Sequence, residues 1–243
     1  FEDWSTASTG GLLTAVQSYV IDEGGRRVIV DTCIGNSKAR SVPEWNMRDS
    51  TFLAEMTNAG YPPESIDFVI CTHLHVDHVG WNTTWGSDGW VPTFRNARYI
   101  VAGSEWEHWD RLPASEFGDI ISDSVRPVID AGLFDFVSED FRLDECVRLR
   151  PSPGHTPGHV SVMISSGSDR GLITGDVMHH PIQCAFPQWN HHLDFDRAAS
   201  VETRIQMLTE VADDSTTVFP THFPGSGAGN VDRQDGAWLY KQI

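Results

Sequence analysis

The segment Thr72-His73-Leu74-His75-Val76-Asp77-His78 follows directly on the apolar run Phe68-Val69-Ile70-Cys71. Imidazole and carboxylate groups are costly to desolvate and add little to packing, so their clustering beside a core-forming run needs a chemical reason. Imidazole nitrogen and carboxylate oxygen are the donors that borderline divalent metals select. In an extended segment alternate residues share a side, so His73 and His75 can reach one ion together. A turn into helix at Val76 or Asp77 redirects Asp77 and His78 toward a second position, and one short loop then feeds two metals.

Further donors stand where other strands are expected to end: His155 in Pro153-Gly154-His155-Thr156-Pro157-Gly158-His159, Asp176 in Thr174-Gly175-Asp176, and His222 after Thr221. A histidine taken singly is more often a hydrogen-bonded structural residue than a ligand. Here His73, His75, Asp77, His78, His155, Asp176 and His222 together suit a pair of divalent ions, zinc first, with iron, manganese or cobalt also compatible. His159, His179, His180, His191 and His192 are explained about as well by surface or supporting roles. Among them His159 is expected to brace the ligand loop.

The elements that must position these groups are legible in outline. Leu12 to Ile21 and Arg26 to Asp31 flank Asp22-Glu23-Gly24-Gly25 and read as a hairpin. Asp49 or Ser50 is placed to cap a helix through Phe52, Leu53 and Met56, closed by Asn58-Ala59-Gly60 and two prolines. Asp67 to Cys71 reads as a strand, residues 81 to 95 as a long aromatic-rich loop, Arg98 to Ala102 as a strand and Glu105 to Asp110 as a helix. The stretch to about Asp130 is ambiguous. Cys146 to Arg150, Val160 to Ser165 and Gly171 to Thr174 read as strands. The spacing Val201, Ile205, Leu208, Val211 predicts an amphipathic helix capped by Asp196, followed by a last strand over Thr216 to Phe219. Trp81, Trp85, Trp90, Phe94, Trp106, Trp109, Phe186 and Trp189 fall largely in loops, where some can wall an apolar pocket.

At 243 residues and a formal charge of −17, with only 17 Lys and Arg, the chain is suited neither to nucleic acid nor to an anionic membrane. It has no apolar run long enough for a membrane span. Cys33, Cys71, Cys146 and Cys184 are widely spaced and read as buried free thiols. A cytoplasmic location is expected, with secretion left open because the sequence starts at Phe1.

The H-x-H-x-D-H loop at 73 to 78, the G-H-T-P-G-H turn at 154 to 159, Asp31, Asp176 and His222 resemble, in order and spacing, the metallo-β-lactamase-fold hydrolases. The resemblance implies a single domain over residues 1–243, an α/β fold built as an αβ/βα sandwich of two mixed β-sheets flanked by helices. It also implies His73, His75 and His155 on one metal, Asp77, His78 and His222 on the other, Asp176 bridging, and Asp31 supporting the loop. The zinc β-lactamases differ at the position of Asp176, and the complete set looks more like the N-acyl homoserine lactone lactonases and their relatives. That lactonase pattern carries a tyrosine three residues after the bridging aspartate, in contact with the substrate carbonyl, where this chain has His179.

The function implied is metal-dependent hydrolysis of a lactone or related carboxylic ester, on a partly apolar small molecule. A water shared by two divalent ions falls in pKa from about 15.7 toward roughly 7, and Asp77 or His179 returns a proton to the leaving alkoxide. Organophosphate or thioester hydrolysis is the alternative within the same fold. An iron-dependent oxidoreductase is a third reading, disfavoured by the retention of His75.

Overall fold

A computed structural model describes Ser5, residues 10–113 and residues 117–243. The chain divides into two compact units, Ser18–Val137 and a second made of Ser138–Ile243 with the N-terminal residues up to Gln17.

The unit Ser18–Val137 begins with β1 (Tyr19–Glu23) and β2 (Arg26–Val30), an antiparallel hairpin in the expected place. Gly24 and Gly25 turn it with φ of 60° and 103°, values that side chains other than glycine resist. There follow α1 (Phe52–Asn58), β3 (Phe68–Ile70), β4 (Thr83–Trp85), β5 (Trp90–Pro92), β6 (Arg98–Ala102), α2 (Gly103–Trp109), α3 (Arg126–Asp130) and β7 (Phe134–Val137). The main sheet has the order β1-β2-β3-β6-β7, with every pair after the first hairpin parallel. Parallel pairing brings the C-terminal ends of β2 and β3 to one edge, so Asp31 and the His73–His78 loop leave the sheet side by side. Ile29, Val69, Tyr99 and Val101 face a core closed by Leu74, Phe94, Val125 and Val128.

Two expectations are corrected here. Neither Asp49 nor Ser50 caps α1; Thr51 occupies that position without a side-chain cap, because the Ser50 hydroxyl donates instead to Asn36 Oδ1 at 2.9 Å. Residues 81–95 are not a plain loop, since Trp85 and Trp90 pair across β4 and β5 at 5.0 Å, edge to face. The aromatics divide: Trp81, Phe94 and Trp109 are core residues, whereas Trp85, Phe186 and Trp189 are exposed. The ambiguous stretch resolves into a π-helical turn, Ile121–Val125, running into α3.

The second unit carries β8 (Val147–Pro151), β9 (Val160–Ser166), β10 (Asp169–Ile173), α4 (Ile182–Ala185), α5 (Arg197–Asp213), β11 (Thr217–Phe219), β12 (Gly229–Gln234) and β13 (Ala237–Gln242). Its sheet has the order β13-β12-β11-β10-β9-β8 and is antiparallel except between β10 and β11. That one parallel pair puts the ends of β10 and β11 together, and the antiparallel β9 starts at the same edge. Asp176, His222 and His155 therefore emerge at one place. Asp196 caps α5 as the sequence predicts, accepting from Ala198 N and Ala199 N at 3.0 Å each.

The buried face of α5 is rotated from the expected one. Met207, Leu208 and Val211 pack on Leu172, Val218 and Val231, but Ile205 is 38% exposed while Arg204 is 0% exposed. The guanidinium is tolerated inside because it donates to the carbonyls of Val177 (2.8 Å), Pro187 (2.6 Å) and Trp189 (2.9 Å). Both sheets are mixed and carry packed helices, as expected. All four cysteines are free, Cys71 and Cys184 buried and Cys33 and Cys146 partly so. No described helix is long and apolar enough to cross a membrane.

Candidate metal centre

In the unit Ser18–Val137 the His73–His78 loop hangs from Asp31. The Asp31 carboxylate accepts the Thr72 backbone N–H at 2.8 Å and the Thr72 hydroxyl at 2.9 Å, and its Oδ2 lies 2.8 Å from His78 Nδ1. Asp31 itself holds a positive φ of 56°, uncommon for a non-glycine residue and stabilised here by these bonds and by Asp31 N donating to Ile70 O. The contact with the carboxylate fixes the proton on His78 Nδ1, so Nε2 carries the lone pair. His73 Nε2 sits 3.0 Å from His75 Nδ1, the rings of His73 and His78 are 4.1 Å apart, and Asp77 Oδ1 is 3.8 Å from His78 Nε2. This unit thus brings all four of its predicted donors together.

Glu105 is a second anchor of this loop, and sequence reasoning missed it. It is fully buried, and its Oε1 accepts both the Leu74 backbone N–H at 3.0 Å and the Trp109 indole N–H at 2.7 Å. The only sequence signal was an acid one turn from Trp109 in an aromatic helix.

The second unit converges on Asp176. His155 Nε2 and His179 Nε2 each lie 3.2 Å from its Oδ2, and His222 Nε2 lies 3.0 Å from its Oδ1. His155 Nδ1 contacts Asp194 Oδ1 at 2.9 Å, and His222 Nδ1 donates to Ala15 O at 2.7 Å, so when either ring is neutral its Nε2 carries the lone pair. Two donors about 2.0–2.1 Å from one ion and at right angles to each other stand roughly 3 Å apart. The donor set accordingly fits a divalent cation in chemistry and in spacing.

His159 is the brace expected of it: its Nδ1 donates to Ser152 O at 3.0 Å, and its Nε2 accepts the Asp176 backbone N–H at 2.9 Å. Gly154, with φ of 134°, lets the His155 loop approach α5 so closely that a Cβ there would stand 2.4 Å from Ser200 N. The cap residue Asp196 then donates its own N–H to Gly154 O, and Phe195 N donates to His155 O.

Asp194 and Gln183, which were not singled out from sequence, complete the surroundings together with His191. Asp194 takes the His155 ring on one oxygen and the His191 N–H on the other at 3.0 Å. Gln183 Oε1 accepts the His179 N–H at 2.6 Å, while its Nε2 donates to Trp189 O. His191 stacks on His179 at 4.1 Å. His180 and His192 contribute no donor to any of the clustered groups within this unit.

Burial pulls the His155 imidazole down, but the Asp176 and Asp194 carboxylates on its two sides prevail and hold it up at about 9. For His179, burial dominates and lowers it to about 3, with the His155 and His222 rings adding to the effect against Asp176. Burial, with His192 and His155, lowers His191 to about 4. His179 and His191 are therefore neutral at pH 7, the state a metal requires, whereas His155 would have to release its second ring proton to bind one.

The sequence profile of the Metallo-beta-lactamase superfamily matches residues 12–222. An N-acyl homoserine lactonase of Bacillus cereus is 27% identical over 178 residues, covering 67% of this chain and 63% of that protein. The N-acyl homoserine lactonase AttM of Azorhizobium caulinodans is 28% identical over 164 residues, covering 63% and 57%. The matches thus span less than two thirds of these relatives' length.

Among solved structures, the hydrolase AbOPH superposes with a TM-score of 0.84 at 24% identity over 100% of this chain and 84% of its own. The dizinc quorum-quenching lactonase AidC, in complex with N-hexanoyl-homoserine product, superposes with a TM-score of 0.78 at 20% identity, covering 95% and 80%. At such identities these likenesses concern the fold, mixed sheets with flanking helices. With a profile match running through the predicted donors of both units, the chain belongs to the metallo-beta-lactamase superfamily.

Proposed function

We propose that this chain is a dinuclear metal-dependent hydrolase that opens a lactone or cleaves a related carboxylic ester, and that its two units act as one domain. His73, His75, Asp77 and His78 are the ligands from one unit, and His155, Asp176 and His222 from the other, for two divalent ions, zinc first. When bound, such ions lower the pKa of water and polarise a carbonyl. The chain's own contribution is orientation. Asp31, Asp194 and the Ala15 carbonyl each occupy Nδ1 of a ligand histidine, which turns Nε2 inward and fixes its tautomer. That shared arrangement is the observation that carries the proposal.

Asp77 and His179 are the groups able to return a proton to a leaving oxygen, since both lie among the ligands and neither side chain is sealed in the core. A lactone substrate is favoured over a phosphotriester or thioester by the names of the curated relatives, lactonases in both Bacillus and Azorhizobium. The exposed rings of Phe186 and Trp189, stacked at 4.8 Å, offer an apolar surface suited to a partly apolar small molecule. Metal analysis of the purified protein, paired with a panel of lactones, chromogenic esters, thioesters and phosphotriesters, tests the reading. Lactone opening that stops on chelation and returns with added zinc is expected. Turnover of phosphotriesters alone would overturn the substrate and leave the metal centre standing.

A further inference from the structure

We infer that His179 is itself a metal ligand, forming with Asp176 and His222 a three-donor site inside one unit for a borderline divalent cation. The inference rests on the metal centre proposed above and adds a donor to it. It also narrows the choice of proton carrier, leaving Asp77.

His179 Nε2 stands 3.2 Å from Asp176 Oδ2, the same separation as His155 Nε2, whose ligand role the family pattern implies. The donor atoms of Asp176, His179 and His222 all lie within 4.8 Å of one another. Neither ring nitrogen of His179 makes a hydrogen bond among the described residues, although the side chain is only 13% exposed. With the Asp176 carboxylate at 3.2 Å as the polar neighbour of Nε2, the imidazole recovers only part of its lost hydration, and a cation taking its lone pair would supply the rest. The ring is nevertheless held firmly. It stacks on His191 at 4.1 Å and on His222 at 5.4 Å, and its backbone N–H is fixed by Gln183.

A tyrosine at position 179, as in the lactonase pattern, places a neutral phenol there instead. The imidazole gives this chain a nitrogen donor that such enzymes lack.

The test is Co(II) binding by the whole chain, followed by chelator competition and by the visible absorption of the bound ion, with no substrate present. In His179→Gln, affinity at one of the two ions is expected to fall by on the order of 100-fold, at or beyond the top of the range for losing an outer hydrogen-bond partner. The Co(II) ligand-field bands should shift with it. His179→Tyr serves as the second variant, should the glutamine not fold, and is expected to lose affinity likewise. His191→Ala should stay within about 3-fold of the parent, since a stacking partner donates nothing to the ion. Unchanged affinity and unchanged bands in either folded His179 variant would overturn the inference. Lactones left intact by a protein that shows the His179 effect would instead count only against the substrate reading.

Discussion

Asp31 Oδ2 lies 2.8 Å from His78 Nδ1, and the same carboxylate takes both the N–H and the hydroxyl of Thr72. One side chain therefore sets the position of the His73–His78 loop and the tautomer of His78, a proposed ligand. Asp31→Asn keeps the shape and can still accept from Thr72. Its amide N–H₂, however, would face His78 Nδ1 and force the ring proton onto Nε2, the nitrogen meant for the metal. We expect Asp31→Asn to lose metal affinity by about 10- to 100-fold, nearly as much as Asp31→Ala, with the fold retained. Chelator competition followed by circular dichroism measures both. An asparagine variant with parental affinity would show that the tautomer is not set here.

Glu105 offers a test on stability. Removing its carboxylate in Glu105→Ala strands the buried N–H groups of Leu74 and Trp109, at about 1–3 kcal/mol each. Glu105→Gln retains an oxygen for both and should cost less than half as much. Urea denaturation of the two variants beside the parent decides the matter, and equal losses would point to packing rather than hydrogen bonding.

Gly154 is predicted to tolerate no side chain. At φ of 134°, with a Cβ 2.4 Å from Ser200 N and 2.5 Å from Ser200 Cα, alanine must push the His155 loop off α5. Backbone cannot yield as a flexible side chain does, so a loss above about 2 kcal/mol is expected. Thermal unfolding reports it, and a melting temperature within about a degree of the parent would refute the close approach.

Lys38 should give stability a recognisable pH dependence. Burial lowers its pKa from 10.5 to about 8, aided by the Arg40 guanidinium and opposed by Asp123. Its ammonium is 2.7 Å from Thr83 Oγ1, 2.9 Å from Asp123 O and 3.6 Å from the centre of the Trp90 ring. Between pH 8 and about 10.5 the unfolded chain holds this proton and the folded one has released it, so stability rises with pH across that window. Above pH 9 the buried thiols of Cys71 and Cys184, held up by desolvation, act in the opposite sense. Comparison with Lys38→Met cancels their effect. The difference between parent and variant should move toward the parent by up to about 1.4 kcal/mol per pH unit above pH 8, and a constant difference from pH 7 to 10 would rule the shift out.

The predicted donors were legible in sequence because their chemistry is concentrated and their positions follow strand ends; His73, His155 and Asp176 needed no tertiary information to stand out. Their supports were not. Glu105, Asp194 and Gln183 each act through a pair of hydrogen bonds to residues 3 to 39 positions away, and nothing in their local sequence marks those partners. The rotated face of α5 was hidden because an arginine inside a core contradicts hydropathy and is explained only by carbonyls from residues 177 to 189. The C-terminal hairpin was missed although a signal existed. Asp235 and Gly236 have φ of 49° and 81°, the Asp-Gly turn that joins β12 to β13.

The contact between His222 and Ala15 spans 207 residues, and Ala15 N donates back to His222 O while Gln17 reaches the carbonyls of Pro220 and Phe223. During ribosomal synthesis the segment around Ala15 emerges early and has no partner until the end of β11 has been made. The contiguous stretch 18–137 can order itself in the meantime, with its four donors contributed by one loop. The discontinuous unit must wait, and loop closure over such a separation is slow compared with local pairing. Orientation of His222, the last of the proposed donors, is thereby a late folding event, and a nascent chain cannot carry a fully oriented donor set before its synthesis has passed that residue.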